Sequence, residues 1–238
     1  RVEHYTDITE LKRSQQQLTA QRDDLDVLNQ VLRHDIRNDL QLVTAYADML
    51  EPHVDESGAA HRERIVESAD NAIGLTESAR DLAAVMRNRQ AETTSVVVGD
   101  VIERQVAEVQ AVFLEATISV DGTLPETAVV ADSLLGSVIR NLLTNAIQHN
   151  RSDEPRVTVS AVDCDGRVRI RVADNGPGIP DAQQAELFGK GEKGLESAGT
   201  GIGLYLVQTL VDSYGGEVWV EDNDPEGAVF VVDLPIAD

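Results

Sequence analysis

His34 stands in the stretch Val31-Leu32-Arg33-His34-Asp35-Ile36-Arg37-Asn38-Asp39-Leu40, where apolar residues recur at helical spacing. At about 100° per residue, Leu32, Ile36, Leu40, Val43, Ala47 and Leu50 form one stripe, and His34 lies about 200° from Leu32 and Ile36. Its imidazole is predicted to face away from that stripe. Asn38, one turn on, shares its face. With a reference pKa of about 6.5, a histidine so placed is largely neutral at pH 7 and can attack an electrophile through a ring nitrogen. The plainer reading is a solvated histidine on a helix surface.

A second set of residues lies far downstream. Asn141 and Asn145, in Asn141-Leu142-Leu143-Thr144-Asn145-Ala146, are four apart and share a helix face. Asp174-Asn175-Gly176-Pro177-Gly178-Ile179 puts a carboxylate at a strand tip before a tight glycine turn. Residues 188–200 follow, with Phe188, Lys190, Lys193 and glycines at 189, 191, 194 and 199, too many for a rigid segment. Gly199-Thr200-Gly201-Ile202-Gly203-Leu204 then opens a helix, whose free backbone N–H groups and dipole favour phosphate. An anionic ligand, a metal helper and a lid are all provided for. The Gly-x-Gly-x-Gly spacing, with no strand running into it, disfavours a dinucleotide-binding fold, and no P-loop motif occurs. Taken alone, Asn141 and Asn145 could equally be amides that satisfy backbone groups.

These residues need elements to carry them. Leu11, Leu18, Leu25 and Leu32 recur every seven residues with Leu28 between, a coiled-coil seam diluted by Gln15, Gln16, Gln17 and Gln21. The helix bearing His34 is predicted to end near Glu51-Pro52, with a turn at Asp55-Glu56-Ser57-Gly58. A second helix from about Ala59 to Met86 carries Ile65, Ala69, Ala72, Thr76, Ala79, Ala83 and Met86 at alternating spacings of four and three. A hairpin with two such stripes cannot bury them alone. Pairing with a second copy into a four-helix bundle is expected, packing against the rest of the same chain being the alternative. Residues 87–95 read as a linker and a second domain as 96–238. There Asp100 is expected to cap a helix to about Glu115, residues 117–121 and 127–131 to form strands, and Asp132 to cap a helix to about His149. The alternating runs 157–161 and 168–172 around Asp163-Cys164-Asp165-Gly166 predict a hairpin. A helix from about Ile202 to Ser213 and strands near 216–221 and 227–234 complete it. The fold class is α plus α/β: a helical hairpin, then an α/β sandwich with helices covering a mixed, mostly antiparallel sheet.

The composition narrows the partners. Lysine and arginine total 20 against 42 acidic residues, a net charge of −22, which repels nucleic acid and anionic membranes. Only Lys12, Lys190 and Lys193 are lysines. Such a surface resembles the acid-rich, lysine-poor proteins of salt-accumulating archaea, an ordinary acidic protein being the alternative. One cysteine, Cys164, excludes an internal disulfide or a multi-cysteine metal site and fits the cytoplasm. No apolar run reaches the roughly 18 residues of a membrane span, and no signal peptide is visible. The chain opens at Arg1, as a fragment would, which leaves room upstream for a sensor or membrane segment.

In their order, the asparagine pair, the Asp174 turn and the glycine-rich helix start resemble the N, G1 and G2 boxes of the GHKL ATP-binding domain shared by sensor histidine kinases, gyrase, Hsp90 and MutL. With the His34 hairpin, residues 10–238 resemble a two-component sensor histidine kinase, and Tyr5-Thr6-Asp7-Ile8-Thr9 resembles the exit of a PAS sensor domain. The resemblance implies a PAS end at 1–9, a signalling linker at 10–30, a HisKA-type dimerisation and phosphotransfer domain at 31–86, and a catalytic domain at 96–238. It implies ATP and Mg²⁺ as cofactors, a homodimer, and the receiver domain of a response regulator as partner. Asn145 would ligate Mg²⁺ through a hard amide oxygen, with Asn141 supporting the phosphates. Asp174 would accept the adenine amino hydrogen beside the Gly176 and Gly178 turn. Gly199, Thr200, Gly201, Gly203 and Leu204 would cradle phosphates, and Phe188, Lys190 and Lys193 would belong to the lid. Clamp ATPases of the superfamily resemble one another in placing a water-activating glutamate where Asn141 stands, and an amide cannot be a general base. His34 would then accept the phosphoryl group, Asp35 would orient or deprotonate it, and Asn38 would position water for dephosphorylating the regulator. Asp39, Gln148 and Ala228 depart from the family's common proline, basic residue and threonine. A clamp ATPase and a catalytically silent dimeric scaffold are the rival functions.

Overall fold

The computed structural model describes residues 35–87, 94–187 and 202–237. His34, the residues before it, and 188–201 lie outside the described residues, and with them the expectations for the seam, Phe188, Lys190, Lys193, Gly199, Thr200 and Gly201. Two compact units divide the chain, Arg1–Thr76 and Glu77–Asp238.

The first unit holds a helical pair. Helix α1 (residues 35–50) runs into a 3-10 turn, Glu51–His53, where Pro52 fits the first turn because it has no N–H to leave unbonded. Helix α2 (Glu56–Arg87) follows at once. The turn expected at Asp55–Gly58 is therefore shifted: Asp55 is the cap, its Oδ1 accepting the Gly58 N–H at 2.8 Å, and Glu56 already begins the helix. Arg62 ties α2 to α1 by donating to Asp48 at 3.2 Å. Among the described residues of the pair, Ala47 and Ala69 alone are buried. Ile36, Val43 and Ile65 of the two stripes stay open, 44%, 43% and 46% exposed, along a groove lined by Leu40, Val43, Ile65, Ala69 and Ala72.

The second unit is a layered α/β domain. Its main sheet has the order β2-β4-β5-β7-β6, built from β2 (Thr117–Val120), β4 (Arg156–Cys164), β5 (Arg167–Asp174), β7 (Ala228–Pro235) and β6 (Glu217–Asp222). β2 and β4 are parallel and the other pairs antiparallel. A two-stranded ribbon joins β1 (Thr94–Val97) to β3 (Ala128–Ala131). The β4–β5 hairpin turns on Asp165 (φ 52°) and Gly166 (φ 77°), positive values that suit a two-residue turn matching strand twist.

Side-chain alternation decides which face is covered. Val157, Val159 and Ala161 of β4, Val168, Ile170 and Val172 of β5, and Phe230, Val232 and Leu234 of β7 are buried in one cluster with residues of α3 (Val98–Val112), α4 (Leu135–Gln148) and α6 (Ile202–Ser213). On the other face Arg167 donates to Asp233 at 2.6 Å, Arg171 pairs with Glu221 at 3.0 Å, and Arg169 lies over the Trp219 ring.

The structure differs from the sequence expectation at several ends. β1 begins at Thr94, two residues before the predicted domain start, and passes straight into α3. Val97 is therefore the N-cap position, without a side-chain cap, and Asp100 lies in the first turn, where its charge still favours the helix dipole. α3 stops at Val112 rather than Glu115. Asp132 accepts the Leu134 N–H at 2.8 Å and the Tyr214 hydroxyl, closing a turn before α4 rather than capping the helix itself. Helix α5 (Asp181–Leu187) was not anticipated. No helix among the described residues is long and apolar enough to cross a membrane.

Candidate functional site

α4 links the pieces of the site. Midway along it, the Asn141 side chain donates from Nδ2 to the Ser137 carbonyl four residues back, at 2.7 Å. That bond turns Oδ1 the other way, towards the start of α6, where a Cβ on Gly203 would sit 2.8 Å from it. One turn along α4, Asn145 is half-buried, and its amide makes no hydrogen bond among the described residues. Two residues past the C-terminus of α4, Asn150 packs against Gly176, where a Cβ would come within 3.4 Å of its Cα. The middle of α4 thus touches the α6 start, and the residues just past its end touch the turn after β5.

Asp174 closes β5 and is only 9% exposed. Its Oδ1 accepts the Gly176 N–H at 2.8 Å and the Ala228 N–H at 3.2 Å, and its main-chain carbonyl accepts Asn223 Nδ2 at 2.7 Å. Burial pushes its carboxyl above the ordinary aspartate range, and the two backbone N–H groups pull it back in part. No described residue donates to Oδ2, which leaves an acceptor for a donor brought by a ligand.

The turn after Asp174 is held by asparagines. Asn175 accepts on Oδ1 from Asn150 Nδ2 at 2.9 Å and from the Arg156 N–H at 2.8 Å, and donates to the Glu154 carbonyl at 3.0 Å. Gly178 has φ 71° and Gly227 φ 117°, values that disfavour any side chain. A Cβ on Gly227 would fall 1.9 Å from the Asp174 carbonyl oxygen, so β7 can start there only with glycine.

Among the sequence candidates, the structure sets Gly203 against Asn141 and Gly176 against Asp174, with Gly178 in the turn that follows and Asn145 one turn from Asn141 on α4. Leu204, beside Gly203, is half-buried and packs on the core. Asp35 and Asn38 are exposed on α1, in the other unit. Asn150, Asn223, Gln184 and Gly227 were missed as parts of the site. Among the described residues no group of three or more histidine, cysteine or acidic side chains could hold a metal. A hard cation here would rest on Asn145, whose uncommitted amide oxygen fits Mg²⁺ as one ligand while ligand phosphates and water supply the others.

Residues 131–238 match the histidine kinase-, DNA gyrase B- and HSP90-like ATPase family. The site lies within that segment, which is similar to this ATPase family. Relatives that match over nearly the whole chain include proteins named as sensor kinases. The adaptive-response sensory kinase SasA of Synechocystis sp. is 26% identical over 95% of this chain and 63% of its own length. The sensor histidine kinase ZraS of Klebsiella oxytoca is 30% identical over 93% of this chain and 49% of its own. The chain therefore spans less than two thirds of these relatives. Among solved structures, the mycobacterial sensor histidine kinase MprB is 29% identical with a TM-score of 0.54, over 60% of this chain and 97% of that one. Full-length ShkA, in complex with AMPPNP, is 26% identical with a TM-score of 0.57, over 88% of this chain and 46% of that one.

Proposed function

We propose that the chain is the phosphoacceptor and catalytic part of a homodimeric sensor histidine kinase, which takes ATP, phosphorylates His34, and passes the phosphoryl group to an aspartate on a response regulator's receiver domain. The observation that carries this reading is Asn141. Its amide lies between the Ser137 carbonyl and Gly203, beside the start of α6, and an amide cannot deprotonate water. A site without its own base needs an acceptor from elsewhere, and relatives that match along the chain include named sensor kinases.

In this reading Asp174 accepts the adenine amino hydrogen on Oδ2, and Gly176 and Gly178 let the base approach the backbone. Asn145 would hold Mg²⁺, which would supply charge neutralisation on the phosphates. By the family resemblance Gly199, Thr200, Gly201 and Gly203 would offer N–H groups to phosphate, and Phe188, Lys190 and Lys193 would belong to the lid. An imidazole nitrogen of His34 forms a bond to the γ-phosphorus while the bond to the bridging oxygen breaks and ADP leaves; Asp35 takes the imidazole proton. Asn38 would position water when the regulator is dephosphorylated. Dependence on ATP places the reaction in the cytoplasm, downstream of a PAS sensor in the parent protein. The open stripe of Ile36, Val43 and Ile65 supports a second copy completing the helical bundle.

Incubation with γ-labelled ATP and Mg²⁺ in concentrated KCl tests this, wild type beside His34→Gln. Acid-labile, alkali-stable label on the wild type alone is expected. Equal labelling of both overturns His34, and free phosphate without protein label points to a clamp ATPase. Nucleotide binding without either product points to a silent scaffold.

A further inference from the structure

The back of Asp174 is built by one turn, between β6 and β7. Asn223 closes that turn with its own N–H, donated to the Gly227 carbonyl at 3.0 Å, and holds Asp174 with its side chain, Nδ2 to the main-chain carbonyl at 2.7 Å. The next strand adds the Ala228 N–H on Oδ1 at 3.2 Å. The same turn grips the far end of the 174–179 loop. Gln184 of α5 donates to both the Ile179 carbonyl and Asp222 Oδ1, each at 2.8 Å. One side chain, Asn223, thus joins the turn's closure to the placement of the buried carboxylate.

We propose that Asn223 is a positioning residue that sets the base selectivity of this site through Asp174. The inference rests on the reading that Asp174 receives the adenine amino group. A carboxylate held by two N–H donors keeps its aim only while its own backbone stays in register with them. The hydrogen bond from Asn223 fixes that backbone through the main-chain carbonyl and leaves the side-chain Oδ2 unoccupied by any described donor. Among the described residues Asn223 has no bond to α4 or α6, which carry the phosphate-side groups. Its effect must therefore be on the base and not on the phosphates.

Affinities of the full chain for ATP and for inosine triphosphate, in which oxygen replaces the amino group, separate the two. Asn223→Asp keeps the shape and replaces the donor by an acceptor. Asn223→Ala removes the side chain without adding charge and serves if the first variant does not fold, as judged by circular dichroism and melting without nucleotide. Loss of ATP affinity of about tenfold is expected, the scale of one lost hydrogen bond. Inosine triphosphate affinity should hold within about twofold, so that the preference collapses. An unchanged preference in a folded variant, or an equal loss for both nucleotides, overturns the proposal. Asp174→Asn is measured in parallel. If it abolishes the preference while the Asn223 variants keep it, this inference alone fails. A preference that survives Asp174→Asn, or is absent from the wild type, means that Asp174 does not read the base, and both fall.

Discussion

Burial raises the Asp174 carboxyl, and the N–H groups of Gly176 and Ala228 offset that rise in part. An acid whose folded value exceeds its unfolded one binds its proton more tightly in the folded state. The fold is then favoured below the unfolded value and loses that advantage as pH rises through the folded one. At neutral pH the ionised carboxylate costs stability, so Asp174→Asn should melt no lower than the wild type while losing ATP binding. A melting temperature several degrees lower would show instead that the charge supports the fold. ATP affinity of the wild type should decline on acidification at a pH above the ordinary aspartate value of about 3.9, as titration of nucleotide against pH would record. Asp174, Gly176 and Gly178 were legible because a strand ending in Asp-Asn-Gly-Pro-Gly has few structural uses. Asn223 was not: its contact lies 49 residues back, and Asp222-Asn223-Asp224-Pro225 reads as any polar turn.

Helix packing gives Gly203 a second purpose beside the one its motif suggests. The glycine reads as a phosphate cradle in sequence, yet a Cβ there would stand 2.8 Å from Asn141 Oδ1, so the missing side chain also leaves that amide its place. Gly203→Ala must push either the amide or the helix. Overpacking of this kind costs about 1–3 kcal/mol, and a displaced amide should lower ATP affinity and label uptake about tenfold or more. Unchanged nucleotide affinity in the folded variant would remove Asn141 from the site. Long elements were legible for the same reason that they are stable, since α4, α6 and the β4–β5 hairpin each repeat one buried face several times. Short ones were not. β1 has four residues, half of them polar, and α5 has seven, fewer than a periodic stripe needs. Strand β1 also runs into α3 without a loop, so no polar residue marks the helix start and the nearest carboxylate, Asp100, reads as the cap in sequence.

At the scale of the molecule, 42 acidic residues face 20 basic ones, and several of the arginines are committed within the fold. On the outer face of the sheet Arg167 is bonded to the buried Asp233, and Arg171 to Glu221. Near-neutral pairs of this kind leave the excess negative charge on the remaining surface, where like charges repel over a Debye length of about 10 Å at 0.1 M salt. Near 1 M that length falls to about 3 Å, shorter than most spacings between surface carboxylates. The compact state should therefore gain stability steeply with KCl, because the unfolded chain spreads its charges and has less repulsion to relieve. A melting temperature that climbs by tens of degrees from dilute buffer to molar KCl, with sodium and potassium chloride nearly equivalent, is expected. If instead the protein melts at the same temperature in dilute buffer and in molar KCl, its acidity is that of an ordinary acidic protein, and the likeness to salt-accumulating organisms is one of composition alone.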